Sequence, residues 1–484
     1  MNKLLKRGFI GAVAAVIVVL ISVNRNGGDQ TFVILSTNDM HAQIDKYPVL
    51  GAAIKECRDT VDVILVDAGD RWTGNAFVDL VEHYAPVYQM MNILKYDVAI
   101  YGNHEFDKGQ AYVAAANRQA TFPTLGANIK SDTTSFPQPP AYAIIECGGK
   151  KIAFVGVVGN YDANDHPAGK DESFEGISFI DPHVAAAEYG YLADECDMLV
   201  LISHSGLERD VEFAQSDLSA GYDHIVSAHS HDLTIQTVEG KLISQTGSRL
   251  QNIGATTVTI TRSGEVKLSH KNVELAGYTP DAELLALSEK YHNNPMLIEK
   301  IGSAAEPFQS IGIRNLFAET IRARTGSQIG LYHSGGVRIS QIPQGDINMS
   351  LVLNAEPFNS YITTLTMNTA QLKKLIMTKF NDTVNIGESH HIDMIATTPY
   401  TVIVDPATGD AVDVIFPELD DEKSYKVATG DYIYKTYRGL SYTNGKITDI
   451  LITTALQEVI EAAKDGLVPS NVSLQTVQNV GDEE

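Results

Sequence analysis

Cysteine is scarce in this sequence. Its three copies among 484 residues, Cys57, Cys147 and Cys196, are scattered without short spacing. That excludes a disulfide framework, which needs an even and denser set, and a thiolate metal cluster, which needs closely spaced ligands. The three read as small buried hydrophobes. Positive charge is the second shortage: 36 Lys and Arg stand against 60 Asp and Glu, a formal net charge of −24. Nucleic acid is excluded as a partner on that ground, because phosphate backbones are held by Lys/Arg surfaces. An acidic chain can still handle an anionic substrate when bound metal ions supply the positive charge. Internal repeats and low-complexity segments are also missing.

Long apolar runs are missing too, except at the start. There Lys3, Lys6 and Arg7 precede an uncharged run from Gly8 to Val23. Residues 1–28 therefore read as a signal peptide or an N-terminal membrane anchor, the run being at or just under the ~17 residues that span a bilayer. No small-x-small cleavage site follows, so both readings stand. In either, the body is exported, to the periplasm or the cell surface, and meets a membrane only through this segment.

What remains is ordinary globular composition, 44% hydrophobic and 20% charged, at a length that suggests more than one domain. Short β-branched runs alternate with helix-like segments: "TFVILSTND", "VDVILVDAGD", "DVAIYGNHE", "KIAFVGVVGN", "DMLVLISHSG" and "DHIVSAHSHD". Continuous apolar runs of this length predict strands covered on both faces, hence an α/β domain over 29–277. "GATTVTITRSGEVKLSHKNVEL" predicts a closing hairpin that turns at Ser263-Gly264. Residues 278–310 read as a helical linker, and 311–484 as a second domain.

Five of the runs end in groups that can bind metal: Asn38-Asp39-Met40-His41, Asp67-Ala68-Gly69-Asp70, Gly102-Asn103-His104-Glu105, Ser203-His204-Ser205-Gly206 and His229-Ser230-His231. Ligands gather beyond the carboxyl ends of strands in open α/β sheets, so these groups are expected to converge on one sheet edge. Asp39 and His41 are two apart, as are His229 and His231, and on extended backbone each pair would face one place. Each motif alone also fits a structural role; together, at successive strand ends, they point to chemistry. The donors are carboxylates, imidazoles and one amide, which suits Mn²⁺, Zn²⁺, Fe²⁺ or Co²⁺ without choosing among them. Seven ligands are too many for one tetrahedral ion and fit two ions sharing a carboxylate, roughly 3.5–4 Å apart in such enzymes. His83, His166, His183, His224, His270, His292, His333 and His390 lack such placement and receive no role. "HHID" at 390–393 reads as a polar surface loop.

The series Asp39-x-His41, Gly69-Asp70, Gly102-Asn103-His104-Glu105, His204 with Gly206, and His229-x-His231 resembles the calcineurin-like metallophosphoesterase superfamily. "GNHEFDKG" with a separate C-terminal domain resembles its bacterial 5′-nucleotidase family. The resemblance implies a two-sheet α/β/β/α sandwich followed by a smaller α/β domain. It implies that Asp39, His41, Asp70 and His231 hold one divalent metal, and Asp70, Asn103, His204 and His229 the other. His104 resembles the family's non-ligand catalytic histidine, with Asp107 to fix its ring and stabilise its protonated form.

In the second domain, "HSGGVRISQIPQGDI" at 333–347 resembles the segment whose glycines and arginine grip a substrate phosphate, which selects Gly336 and Arg338. Phe358 and Tyr432 stand where the family has aromatics that stack on a nucleobase. Three features depart from the pattern, the first being Asn359-Ser360 where Gly-Asn usually follows the Phe. "YKTYRGLSY" replaces the usual Gly-Gly-Asp-Gly-Tyr, with Arg438 where an Asp is expected, and the pair of extra arginines upstream of the glycine motif is missing, only Arg314 and the Arg322/Arg324 pair standing near it. The expected activity is phosphate release from nucleotides, 5′-nucleotidase first. The alternatives are a 2′,3′-cyclic phosphodiesterase/3′-nucleotidase, a nucleotide-sugar or sulfur-ester hydrolase, and a non-catalytic surface nucleotide-binding protein. A nucleotide or other small phosphoester is the expected partner, and a monomer or dimer the expected state.

Overall fold

The computed structural model describes residues 28–132, 136–160, 165–169, 171–381, 390–437 and 443–481. The leader and Arg438 lie outside these residues. The chain forms two compact units, 1–73 with 78–292, and 74–77 with 293–484. The stretch read as a linker divides between them. Helix Ala282–His292 packs on helix Tyr47–Arg58 of the first unit and buries Leu284, whereas Lys300–Ala304 pairs as a strand with Gly345–Asn348 in the second. Among the described residues no helix is long and apolar enough to cross a membrane.

Fourteen strands among the described residues belong to the first unit: β1 (Gln30–Thr37), β2 (Val63–Asp67), β3 (Val98–Ile100), β4 (Thr124–Leu125), β5 (Ile129–Ser131), β6 (Tyr142–Cys147), β7 (Lys150–Val158), β8 (Ile177–Phe179), β9 (Met198–His204), β10 (His224–Ser227), β11 (Leu233–Val238), β12 (Lys241–Thr246), β13 (Asn252–Ile260) and β14 (Val266–Glu274). One six-stranded sheet has the order β14-β13-β1-β2-β3-β4, the other β11-β12-β10-β9-β7-β6. β1 to β4 run parallel, as do β7, β9, β10 and β12. The expected hairpin is the antiparallel β13/β14 pair, turning through Gly264 at φ +88°.

The runs are continuously apolar because alternate residues face different cores. Phe32, Ile34, Ile64, Val66, Val200 and Ile202 meet in the layer between the two sheets. Their neighbours Val33, Leu35 and Leu65 face one helical layer, and Leu199 and Leu201 the other. The result is four layers, α/β/β/α. Each fully buried Ile, Leu or Phe contributes roughly 1.5–3 kcal/mol. Cys57 and Cys147 are buried and all three cysteines are free thiols; burial pushes the first up to about 11 and the second to about 12.

The second unit is built on a five-stranded sheet in the order Met394–Ala396, Ile329–His333, Ser424–Gly430, Tyr361–Asn368, Thr443–Leu451. Helix Ser310–Thr325 covers one face and helix Thr369–Phe380 the other. The latter begins with a reciprocal cap, Asn368 accepting from the Gln371 amide and Gln371 from the Asn368 amide, an arrangement in which the cap residue is worth about 1 kcal/mol.

Candidate metal centre

Parallel strands end at the same rim, so β1, β2 and β3 of one sheet and β9 and β10 of the other deliver their following residues to one place. The rim therefore straddles two sheets, where the order of motifs along the chain suggests a single sheet edge. Three overlapping groups have ligand atoms within 4.8 Å of one another: Asp39, His41 and His231; Asp70, His204 and His229; and His41, Asp70 and His104. Asn103 Oδ1 lies 3.0 Å from His229 Nδ1. All seven residues selected as ligands thus come together.

The i, i+2 pairs do so for a reason other than the one inferred. Their backbone is not extended: Asp39, His41, Asp70, His229 and His231 all have positive φ, between 46° and 81°. Non-glycine residues there cost of order 1–3 kcal/mol each and persist where the surroundings hold them. Hydrogen bonds do the holding. The Asp39 amide donates to Gly69 O at 3.0 Å and the His41 amide to Asp70 O at 3.0 Å. Asn38 reaches across to Gly247 O at 2.6 Å and accepts from the Thr246 amide at 3.0 Å. His229 and His231 consequently face different groups rather than one.

The buried imidazoles are oriented by their second nitrogens. His204 Nδ1 is 2.8 Å from Ala68 O, which turns Nε2 to within 3.2 Å of Asp70 Oδ2. His41 Nδ1 is 3.1 Å from Thr73 O, and its Nε2 is 3.2 Å from His231 Nε2. A ring fixed in this way presents one nitrogen as ligand. Gly69, at φ +89°, passes so close to the third strand end that an added Cβ would stand 2.6 Å from the Gly102 amide nitrogen. Glu105, grouped by sequence with possible ligands, instead accepts from the Asp70 and Arg71 amides at 2.9 and 3.0 Å, tying two rim loops together.

Two buried carboxylates, Asp39 and Asp70, put negative charge at the rim. Burial alone would raise Asp39 and Asp70, but surrounding histidines hold both low, Asp70 well below the usual carboxylate range. Against its own burial, His204 is pushed up to about 10 by Asp70 and Asp39. Burial and then the His204 charge push His229 down to about 3. A proton on His204 and a metal ion meet the same need, positive charge between two buried carboxylates. Asp39 Oδ1 is buried and faces imidazole nitrogens, His231 Nε2 at 3.4 Å and His204 Nε2 at 3.9 Å. An N/O donor set with such an oxygen fits hard or borderline divalent cations. Beside this cage the His104 ring lies 5.3 Å from the His41 ring, and its Nδ1 is 2.9 Å from Asp107 Oδ2. Both side chains remain partly exposed, at 15% and 17%.

In the second unit the Arg338 guanidinium lies over the Phe358 ring, 5.8 Å from its centroid. Tyr432 stacks on His333 at 5.1 Å and 30°. A Cβ at Gly336 would meet His333 Cε1 and Tyr332 OH at 2.7 Å, so the turn closes only with glycine there. His333, given no role from sequence, backs Tyr432; the available signal was its position at the head of the "HSGG" motif. The "HHID" segment is not uniformly surface. His390 is exposed and pairs with Asp410 at 3.0 Å, but Asp393 is buried, 3.2 Å from buried Lys379, and accepts from the Ser334 amide at 3.1 Å. A buried carboxylate needs such partners, and these anchor the glycine turn. Arg322 and Arg324 pair with Glu319 and Glu458.

Four layers with a rim of N/O ligands and an adjacent His–Asp pair define a metallophosphoesterase. Family models agree: "calcineurin-like phosphoesterase" matches residues 32–233, and "5′-nucleotidase, C-terminal domain" matches 293–443. The chain belongs to the 5′-nucleotidase family of calcineurin-like phosphoesterases. It is 26% identical to endonuclease YhcR of Bacillus subtilis over 84% of this chain and 37% of that one. It is 26% identical to protein UshA of Yersinia enterocolitica over 83% and 85%. The chain spans about a third of the length of two curated relatives it matches, at 37% and 31%. A solved 5′-nucleotidase precursor from Thermus thermophilus superposes with a TM-score of 0.79 at 19% identity, covering 94% of this chain and all of that one. The sulfate thiohydrolase SoxB superposes at 0.76 with 17% identity, over 93% and 97%.

Proposed function

We propose that this protein is a two-metal hydrolase that releases phosphate from nucleotides, with 5′-monophosphates as first substrates. The observation that carries the reading is the meeting of Asp70 with His204 at 3.2 Å inside a set of overlapping ligand groups, next to a His104–Asp107 pair. Asp39, His41, Asp70 and His231 would hold one divalent ion, and Asp70, Asn103, His204 and His229 the other. When bound, such ions supply Lewis acidity toward phosphoryl oxygens and a lowered pKa for water.

The chain's own groups do the rest. Asp107 holds the His104 ring by Nδ1, so that Nε2 can donate a proton or hydrogen bond to the phosphoryl oxygens and to the departing alkoxide. In the second unit, Arg338 offers a planar fork to phosphate, and Phe358 and Tyr432 offer aromatic faces to a base. The test is a phosphate-release screen with Mn²⁺ on AMP, 3′-AMP, 2′,3′-cyclic AMP and UDP-glucose. AMP is expected to be the best substrate; no release from any of them would refute the reading.

A further inference from the structure

Among the groups that hold His104, one lies outside the family motifs. Its amide donates to Asp70 Oδ1 at 2.9 Å, and its ring meets Asp107. Its carbonyl accepts from the indole nitrogen of Trp72 at 2.8 Å and, at the longer distance of 3.3 Å, from the Asp107 amide. Asp70 and Trp72 leave the same strand end two residues apart. One short segment thus carries the carboxylate shared by two ligand groups and two of the contacts on the His104 backbone.

Trp72 is itself immobilised. It is fully buried, stacked on Tyr84 at 4.5 Å and 16°, with the Tyr88 edge 5.7 Å away. Tyr84 reaches that stack through two consecutive non-glycine residues at positive φ, His83 at 53° and Tyr84 at 50°. Lys108, next to Asp107 in sequence, lies over the Tyr84 ring at 4.4 Å and the Tyr112 ring at 4.9 Å, and donates to Asp79 O. An aromatic and cationic buttress therefore runs from Lys108 through Tyr84 to the indole and ends on the His104 carbonyl. An indole has one donor and no acceptor, so once buried it can serve only as a fixed clamp on a carbonyl.

We propose that Trp72 is a positioning residue for His104. Its N–H fixes the peptide from which the imidazole projects, and so sets the ring's distance to the phosphoryl group. This rests on the hydrolase reading. The geometry matters because misplacing a reacting group by about 1 Å can lower a rate about a hundredfold.

Trp72 is the single tryptophan of the chain, so feeding a tryptophan-auxotrophic host benzothienylalanine changes this residue alone. Sulfur replaces N–H, and shape and packing are kept. On AMP with Mn²⁺, kcat is expected to fall about tenfold with KM within twofold and metal content unchanged. Equal kcat in both proteins overturns the proposal and leaves the hydrolase reading intact. If the unsubstituted protein releases no phosphate from any substrate in the screen, both fall. A readout independent of turnover uses ¹⁵N-tryptophan in the unsubstituted full chain. One indole resonance is expected, protected from solvent exchange for minutes or longer, and exchange within seconds overturns the proposal.

Discussion

His204 Nε2 lies 3.2 Å from Asp70 Oδ2, although the two residues end strands of different sheets. That approach is possible because β2 and β9 point their carboxyl ends the same way, and because Ala68 O takes the other nitrogen of the ring. Everything proposed about chemistry depends on the carboxylate that this contact places at the centre of the rim.

Asp70→Asn removes the charge shared by two ligand groups while keeping the side chain's shape. Even residues that only support metal ligands contribute about 10–100-fold to activity. A shared ligand should exceed that, so loss of more than about a hundredfold in kcat/KM is expected, with less than one equivalent of tightly held metal by mass spectrometry. Full metal content in the variant would remove Asp70 from the centre.

His104→Ala separates chemistry from metal binding. The ring is a neighbour of the cage rather than a filled position in either proposed ligand set, so metal content should stay unchanged. Turnover should drop by about 10²–10⁴, the usual contribution of a positioned acid or base. Loss of metal together with activity would make His104 a ligand.

Acid should loosen both units, by way of buried imidazoles that fold neutral. Burial pushes His224 in β10 down to about 3, and burial pushes His333 down to about 4. Both stay below the ordinary value of 6.5. The unfolded chain then binds more protons than the folded one between these values, so stability rises with pH there. Through these two groups urea midpoints should fall as pH drops from about 6.5 toward 4. His333→Phe should flatten part of that slope; an unchanged slope would mean His333 titrates normally.

Lys379→Ala leaves Asp393 charged and buried under the glycine turn. Removing one partner of a buried pair costs about 3–5 kcal/mol. Chemical denaturation should show this loss, and the double variant Lys379→Met, Asp393→Leu should recover much of it. A cost under about 1 kcal/mol would place the pair among surface ion pairs.

Phe358→Ala or Tyr432→Ala should raise KM for nucleotides and spare kcat on p-nitrophenyl phosphate, which carries no base. Stacking on one aromatic is worth about 1–3 kcal/mol per base. Equal KM changes for both substrates would assign these rings to packing.

The first domain was legible because its strands are continuous apolar runs and each chemical motif sits where a run stops. What sequence could not convey was the division between sheets, since β9 and β10 look like β1 to β3 until their partners are known. Left-handed backbone at Asp39, His41 and His231 was hidden as well, because no glycine marks it. In the second unit Asp393 follows two histidines and a half-buried isoleucine in "HHID", and its burial is set by Lys379 and Ser334, which local pattern cannot reveal. Tyr432 was selected by motif, but the imidazole that backs it was not, because the place of His333 at the head of "HSGG" marks the turn and not the stacking partner.

The most direct measurement is anomalous diffraction from crystals soaked in Mn²⁺. Two peaks are predicted, one among Asp39, His41 and His231 and one among Asp70, His204 and His229, both within coordination distance of Asp70. A single peak, or density away from Asp70, would contradict a two-metal centre built on that carboxylate.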